Sequence, residues 1–243
     1  GAIERVRVDR ETLEPRFRVI GCDLWSDDPS FASSMAGMAI SGICGSGIIE
    51  VVGEMVLAGI VDSEGVVDSA LAAKSPRIIA NGRTYSYLLH DGAVPILITQ
   101  NDIRAIQLAK AALYAGIRLL MDHMKIDTVD SISLAGAFGS HIDPRYAMLL
   151  GMIPDCDPER VKSVGNAAGS GARIVLLDRK SRGEIERVLS RVEKVETATE
   201  AGFQQHFVDA MAIPHRTASY ERLGAVMALP KKSSGKRRIS RRR

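Results

Sequence analysis

The sequence predicts an α/β fold in which a mixed sheet is flanked by helices, with a small β-rich insertion at residues 61–95. Three observations support this prediction: an amino-terminal segment that alternates apolar and charged residues, amphipathic stretches of helical length, and three glycine-rich turns where a strand gives way to a helix. The composition is that of a globular protein, with 46% hydrophobic and 25% charged residues. The 22 glycines and only 5% aromatic residues favour tight backbone turns.

The first predicted elements are a pair of strands. Residues 3–8 alternate as a half-exposed strand does, and residues 17–20 are the expected partner across a turn near Glu14-Pro15. Residues 26–36 are rich in Ser, Asp and Ala and predict a loop.

A helix and several short strands are expected next. The helix should cover residues 48–58 and end at Gly59. Within residues 61–95, Asn81-Gly82 and Asp91-Gly92 are signals of hairpin turns, and they are the basis for the predicted β-rich insertion.

The longest helix should begin after Thr99, whose hydroxyl can cap it, with Asp102 in the capping-box position. Apolar side chains recur along this helix at helical spacing, which predicts its buried face. The members of this stripe are Ile103, Ile106, Ala109, Ala112 or Leu113, Ile117, Leu120 and Met124.

Strands and helices alternate in the carboxyl-terminal half. A strand at residues 131–135 runs into the second glycine turn, and a strand at 161–164 precedes the third. Asp143-Pro144 predicts a helix start, with an N-cap followed by proline at the first helical position. The remaining predicted elements are helices at 167–177, 181–191 and 203–211 and an edge strand at 194–196.

Charge and cysteine content limit the function classes. Residues 230–243 form a basic tail that we expect to be disordered, and without it the body is mildly acidic, so nucleic-acid binding is not expected. Cys22, Cys44 and Cys156 lack paired spacing, which argues against a disulfide framework and predicts a cytoplasmic protein. No apolar run reaches the roughly 18 residues of a membrane span.

Because there is no initiator Met, we expect a fragment or a processed product.

Three glycine-rich turns are the candidates for chemistry: residues 42–47, 134–140 and 165–172. Such turns let backbone N–H groups converge on an anion. The first lacks the lysine of a Walker loop and does not match the dinucleotide-binding fingerprint. Taken singly, it fits a tight structural turn as well as a phosphate site, and for the other two close packing is the stronger interpretation.

The order of these motifs is more specific than any one of them. A phosphate-type turn, a long helix and a strand ending in residues 135–139 resemble the second half of the actin, sugar kinase and heat-shock chaperone ATPase superfamily. More narrowly, the chain resembles the carboxyl-terminal ATP-binding domain of the reductive activators of corrinoid proteins. The resemblance extends to about residue 214 and rests on Gly1-Ala2-Ile3-Glu4, residues 42–47, 98–103, 109–117, 135–139 and 151–154, and Gly165-Asn166.

This resemblance implies an actin-like, ribonuclease H-like lobe over residues 1–229. Relatives join this lobe to a first lobe and to an amino-terminal [2Fe–2S] ferredoxin-type domain, and they use ATP to return a corrinoid protein from cob(II) to cob(I). The implied partner is a corrinoid protein or a corrinoid-dependent methyltransferase, and a homodimer is also expected. ATP with Mg would be bound jointly with the first lobe, whose Asp-x-Gly-Thr-type phosphate loop is not found in this chain.

The resemblance also implies site residues. The phosphates would be lined by Gly42, Cys44, Gly45, Ser46 and Gly47. The adenosine would be flanked by Gly136, Ala137, Phe138 and Gly139, although Ala137 departs from the double glycine expected there. Asn166 would make a polar contact near the nucleotide. No catalytic residue and no metal ligand are assigned.

Two other functions compete with an ATP-driven redox activator. One is a nucleotide-sensing, partner-docking module without turnover, and the other is a small-molecule kinase of the same superfamily, with its catalytic Asp in the other lobe. Because hydrolysis needs a metal, an oriented water and in-line geometry, we expect this chain alone to bind nucleotide weakly and to turn over little or none.

Overall fold

The computed structural model describes residues 1–35, 37–197 and 199–229, and the predicted tail at 230–243 lies outside the described residues. The α/β class is confirmed, with the β-structure in three small sheets. The first sheet is mixed, the second antiparallel and the third a parallel pair. The strands are β1 (Ala2–Val8), β2 (Pro15–Val19), β3 (Gly42–Ile43), β4 (Ile78–Asn81), β5 (Thr84–His90), β6 (Ile96–Ile98), β7 (Ile132–Ala135) and β8 (Val161–Gly165).

The amino-terminal strand pair is confirmed. β1 and β2 are antiparallel, and β3 joins β1 on its other side in parallel for two residues. The turn lies at residues 9–14, where the Leu13 N–H donates to the Asp9 carbonyl at 2.9 Å. The loop predicted at 26–36 is interrupted by the short helix α1 (Phe31–Ser34), and its last residue lies outside the described residues.

α2 (Gly45–Leu57) begins three residues before the predicted start and packs along β1. It ends next to Gly59, which has a φ of +72°, as its position after the last turn predicts. Ten of its residues are buried, so this helix is the centre of the core and not a surface helix.

α3 (Gln100–Met124) has the predicted capping box, in which Thr99 and Asp102 bond reciprocally. Its predicted apolar stripe is mostly wrong. Ile103 is buried, but Leu113, Leu120 and Met124 are 47%, 52% and 69% exposed. The helix is rotated so that its buried residues are Ile103, Gln107, Lys110, Ala111, Tyr114, Ala115, Leu119 and Met121.

The buried polar residues of α3 explain this rotation. Gln107 Nε2 donates to the carbonyls of Glu64 and Met211 at 3.1 and 2.8 Å, and Lys110 Nζ donates to those of Ala212 and Pro214. A buried carbonyl without a donor is costly, so these contacts fix which face of α3 is turned inward.

The carboxyl-terminal helices follow the prediction closely. Asp143 caps α4 (Pro144–Leu149) by accepting from the Arg145 N–H at 2.9 Å. The edge strand predicted at 194–196 is wrong, because no strand pairs with it, and Lys194 and Glu196 form an ion pair with each other. The other helices are α5 (Ala167–Leu177), α6 (Arg179–Leu189), α7 (Phe203–Ala210) and the unpredicted α8 (Glu221–Val226).

The hydrophobic core extends from β1 and α2 through β5 and α3 to α4 and α8. Strands β4 and β5 lie in the segment predicted as a β-rich insertion, with the hairpin turn at Gly82 as expected. They share this core, and the Tyr87 hydroxyl donates to the Leu13 carbonyl at 2.9 Å. Across the described ranges, no helix combines the length and hydropathy needed to cross a bilayer.

Candidate nucleotide-binding site

The first glycine turn connects β3 to α2. Cys44 is the N-cap of α2 and makes no side-chain cap bond, and its Sγ lies 3.1 Å from Ser46 Oγ. The N–H of Cys44 donates to the Ile3 carbonyl at 2.9 Å, which holds the turn against β1. The positive end of the dipole of the 13-residue helix α2 therefore lies at this turn.

The glycines of this turn differ in their surroundings. A Cβ at Gly42 would meet no atom within 4 Å, so space beside this residue is open. A Cβ at Gly47 would lie 2.5 Å from the Ile3 carbonyl oxygen, so this glycine allows the helix to approach the strand. A Cβ at Gly45 would overlap the ring of Phe138. Close packing therefore accounts in part for the presence of glycine at positions 45 and 47, independently of any ligand.

The second glycine turn follows β7. Gly136 has a φ of +98°, a conformation that favours glycine, and a Cβ there would meet nothing within 4 Å. Ala137 is exposed, and the Phe138 side chain is 51% exposed with its ring against Gly45. Gly139 packs close to Leu134. Open space is thus available beside Gly136 and Ala137, and not beside Gly139.

The third glycine turn follows β8. Gly165 has a φ of +62°, and Asn166 is the N-cap of α5, with its Oδ1 accepting from the Gly169 N–H at 2.9 Å. The Asn166 side chain is therefore used locally, and its carbonyl oxygen is not free for a ligand.

The three turns lie next to one another. β7 and β8 are parallel, so their following turns share one sheet edge, and the Gly136 N–H donates to the Gly165 carbonyl at 2.7 Å. Ser163 Oγ donates to Ser140 Oγ at 3.0 Å between the same segments. The Phe138 ring then links the second turn to the first at Gly45. The glycine turns are thus assembled at one place in the fold.

A family comparison matches residues 1–223 to the family described as the C-terminal domain of RACo, the ASKHA domain. The chain belongs to this family. It is 33% identical over 182 residues to the corrinoid activation enzyme RamQ of Eubacterium limosum, a match that covers 70% of this chain and 31% of RamQ. It also matches the solved structure of a reductive activator for corrinoid, iron-sulfur protein with a TM-score of 0.73 and 30% identity. That match covers 88% of this chain and 33% of the other, so the chain spans about a third of the length of these relatives.

Two buried carboxylates in this ASKHA domain were not singled out from the sequence. β3 pairs with β1 at only two positions, and beyond them the N–H groups of Val6 and Val8 donate to Glu50 and Glu54, each at 3.0 Å. Side chains of α2 thus replace a neighbouring strand along this edge of β1. The signal in the sequence was a pair of glutamates four residues apart in an otherwise apolar helix.

Glu54 also accepts a hydrogen bond from the Tyr146 hydroxyl, and burial together with this carboxylate raises the pKa of Tyr146 well above its usual value. Glu50 accepts from Arg5 Nη1 at 2.6 Å and from Arg7 Nη1 at 2.7 Å. Both glutamates are almost completely buried, so these contacts offset the cost of removing two charges from water.

The residues present fit a nucleotide better than a metal ion. Open space at Gly42 and Gly136, beside exposed backbone, is suited to a ligand that approaches peptide groups closely. In residues 1–35, 37–197 and 199–229 no group of three or more His, Cys, Asp or Glu side chains could hold a metal ion.

Proposed function

We propose that this domain binds ATP within a longer protein that uses the nucleotide to drive reductive activation of a corrinoid protein, from cob(II) to cob(I). The observation that carries the proposal is the assembly of the three glycine turns, through the Gly136–Gly165 hydrogen bond and the contact of Phe138 with Gly45. Membership of the RACo family, with relatives named as activators of corrinoid proteins, supports the same function.

In this proposal the phosphates lie near Gly42 and the amino-terminal end of α2, where backbone N–H groups and the helix dipole favour negative charge. The adenosine lies beside Gly136 and Ala137, where the backbone is open. Phe138 lies between these two regions, and its exposed ring offers a flat apolar surface to the nucleoside. The electron is carried by an iron–sulfur cluster in another domain.

ATP can act on the redox partner only by linkage. A nucleotide shifts a conformational equilibrium by its difference in affinity for the two conformations, and partner affinity changes reciprocally. A site divided between two lobes meets this requirement, since only their closed arrangement makes both sets of contacts. Bound Mg²⁺ would supply charge neutralisation at the phosphates when the first lobe completes the site.

Calorimetric titration of the 243-residue chain with ATP, combined with a phosphate-release assay, tests this proposal. We expect weak saturable binding and release at the background rate. The absence of saturable binding would contradict the nucleotide site. Robust magnesium-dependent turnover by this chain alone would contradict the divided site.

The redox part of the proposal has its own test in the longer protein that carries this domain. With a cob(II) partner and a reduced iron–sulfur cluster, the absorbance of cob(I) should appear at a rate that ATP increases. A rate that does not depend on ATP would favour the nucleotide-sensing, docking function over an ATP-driven activator.

A further inference from the structure

Four arginines form a square on one face of the β1–β2 pair. The strand register places Arg5 opposite Arg18 and Arg7 opposite Arg16. Like charges directly opposite each other on antiparallel strands are destabilising. A folded chain that keeps four guanidinium groups together at two adjacent cross-strand positions therefore needs compensating contacts.

The compensation in the structure is incomplete. Arg5 and Arg7 share the single carboxylate of Glu50, and Arg16 reaches the exposed Asp27 at 3.6 Å. Among residues 1–35, 37–197 and 199–229, no ion-pair partner exists for Arg18, and its Nε is buried without a hydrogen bond. Within ion-pair distance, the four guanidinium groups thus share two carboxylates, those of Glu50 and Asp27, while Glu54 and Asp143 act on Arg7 from farther away.

Trp25 lies against three of the four arginines. Its ring centroid is 5.7 Å from the guanidinium carbon of Arg7, 5.0 Å from that of Arg16 and 5.3 Å from that of Arg18. Cation–π contacts hold the three groups close together in a fixed arrangement. The arginines are therefore positioned before any ligand arrives, which lowers the entropic cost of binding.

A cavity of about 660 Å³ opens beside the square, lined by Arg5, Arg7, Arg18 and Trp25. This volume is within the range of small-molecule sites. The cavity is also lined by Asp157 and Glu159, which repel an anion, and by the ion pair of Asp143 with Arg145. Negative charge is therefore favoured beside Arg5, Arg7 and Arg18 and disfavoured beside Asp157 and Glu159.

We propose that the arginine square is a binding site for the phosphate group of a small ligand. Arginine forks match phosphate oxygens in bidentate geometry, and a phosphate here would be attracted by the guanidinium of Arg18, which has no ion-pair partner in the described part of the chain. The proposal does not rest on the nucleotide function, because no residue of the square belongs to the three glycine turns. Ser140, which also lines the cavity, places it next to the second of them.

Trp25 is the sole tryptophan of the 243 residues, so its fluorescence reports directly on this cavity. Inorganic pyrophosphate, titrated against a sodium chloride reference of equal ionic strength, should change its emission saturably. We expect Arg18→Gln to weaken pyrophosphate at least about tenfold, since it removes a charge-assisted contact. The control Arg83→Gln, an exposed arginine at the β4–β5 turn, should bind as the unaltered protein does.

Thermal melting separates a binding role from a structural one. If Arg18 binds phosphate, pyrophosphate should raise the melting temperature of Arg18→Gln less than that of the unaltered protein, each compared with its own value without ligand. Arg18→Lys, which keeps the charge but loses the fork, should also bind more weakly. Absence of a saturable response in the unaltered protein, or pyrophosphate affinity in Arg18→Gln and Arg18→Lys equal to that of the unaltered protein, would overturn the proposal.

The source of the phosphate is distinguished by repeating the titration with ATP on Ala137→Leu, which fills the proposed adenosine site. If this variant loses the Trp25 response to ATP but keeps that to pyrophosphate, the ligand is the nucleotide itself, and its phosphates lie at the arginines and not at Gly42. If both responses persist, the ligand is a separate phosphate compound. Loss of the pyrophosphate response in Ala137→Leu, with unchanged melting, would overturn the placement at the arginines.

Discussion

The ring of Phe138 lies against the backbone of Gly45, in the space that a Cβ atom would need. This contact joins the turn after β7 to the turn before α2, and with the Gly136–Gly165 hydrogen bond it brings three sequence motifs to one place. Phe138 and Gly45 are 93 positions apart in the chain, and Gly136 and Gly165 are 29 apart, so tertiary packing and not local sequence sets their geometry.

The Phe138–Gly45 contact leads to a prediction about nucleotide affinity. Gly45→Val should displace the Phe138 ring and abolish ATP binding measured by calorimetry, because the added side chain fills the turn. Gly116→Ala is the matched control: a Cβ there meets nothing within 4 Å, and alanine favours the helix by about 1 kcal/mol. It should leave ATP affinity unchanged and raise the melting temperature.

A double variant separates the two explanations for Gly45. Gly45→Val combined with Phe138→Ala removes the overlap with the ring but keeps the filled turn. If the backbone at Gly45 contacts phosphate, the double variant should regain stability but still bind ATP more weakly than Phe138→Ala alone, which controls for loss of the ring. Unaltered ATP affinity in Gly45→Val would count against phosphate at this turn.

Lys110 should make stability depend on pH. Burial lowers the pKa of Lys110 to about 7 in the folded protein, whereas in the unfolded chain the group keeps its proton to about pH 10.4. Between these values the unfolded state binds more protons, so the free energy of unfolding should rise with pH, by up to about 1.4 kcal/mol per pH unit. Denaturant unfolding at pH 7, 8 and 9 measures this slope.

Lys110→Met is the informative variant for that measurement. It loses the bonds to the carbonyls of Ala212 and Pro214 and should be less stable, but the rise between pH 7 and 9 should largely disappear. Lys125→Met, at the carboxyl-terminal end of the same helix, should keep the slope of the unaltered protein. An equal slope in Lys110→Met would show that another group titrates in this range.

Replacing Glu50 should lower the free energy of unfolding more than replacing an exposed glutamate does. Glu50→Gln leaves Arg5 and Arg7 without their shared carboxylate, and breaking a buried ion pair costs about 3–5 kcal/mol. Because both arginines are about one-third exposed, water offsets part of this cost, and a loss of about 2–3 kcal/mol is expected in urea unfolding. Glu11→Gln, in the exposed turn after β1, should change stability by less than about 0.5 kcal/mol.

Features determined by neighbouring residues were predictable from the sequence. The capping box of Thr99 and Asp102, the cap at Asp143 and the hairpin turn at Gly82 all depend on contacts within a few positions. The buried face of α3 was not predictable, because Gln107 and Lys110 bond to carbonyls more than a hundred positions away. Apolar periodicity contains no information about such partners.

In the candidate site too, features set by neighbouring residues were predictable from the sequence, and features set by packing between distant segments were not. The glycine turns and the alternation of apolar and charged residues in β1 were visible in the sequence, since each depends on residue type and spacing. The arginine square was not singled out from the sequence. Their assembly was not visible: the cross-strand register that opposes Arg5 to Arg18, and the ring of Phe138 on Gly45, follow from packing between distant segments.

Asn166 provides a prediction in which stability and ligand affinity should separate. Its Oδ1 accepts the Gly169 N–H and caps α5, so Asn166→Ala should lower stability by about 1 kcal/mol. Asn166→Ser keeps a capping oxygen and should retain stability. If the amide nitrogen of Asn166 also contacts nucleotide, as the resemblance implies, Asn166→Ser should weaken ATP binding in calorimetry while its melting temperature stays unchanged. Equal ATP affinity in Asn166→Ser and the unaltered protein would reduce this residue to a helix cap, with no part in recognition.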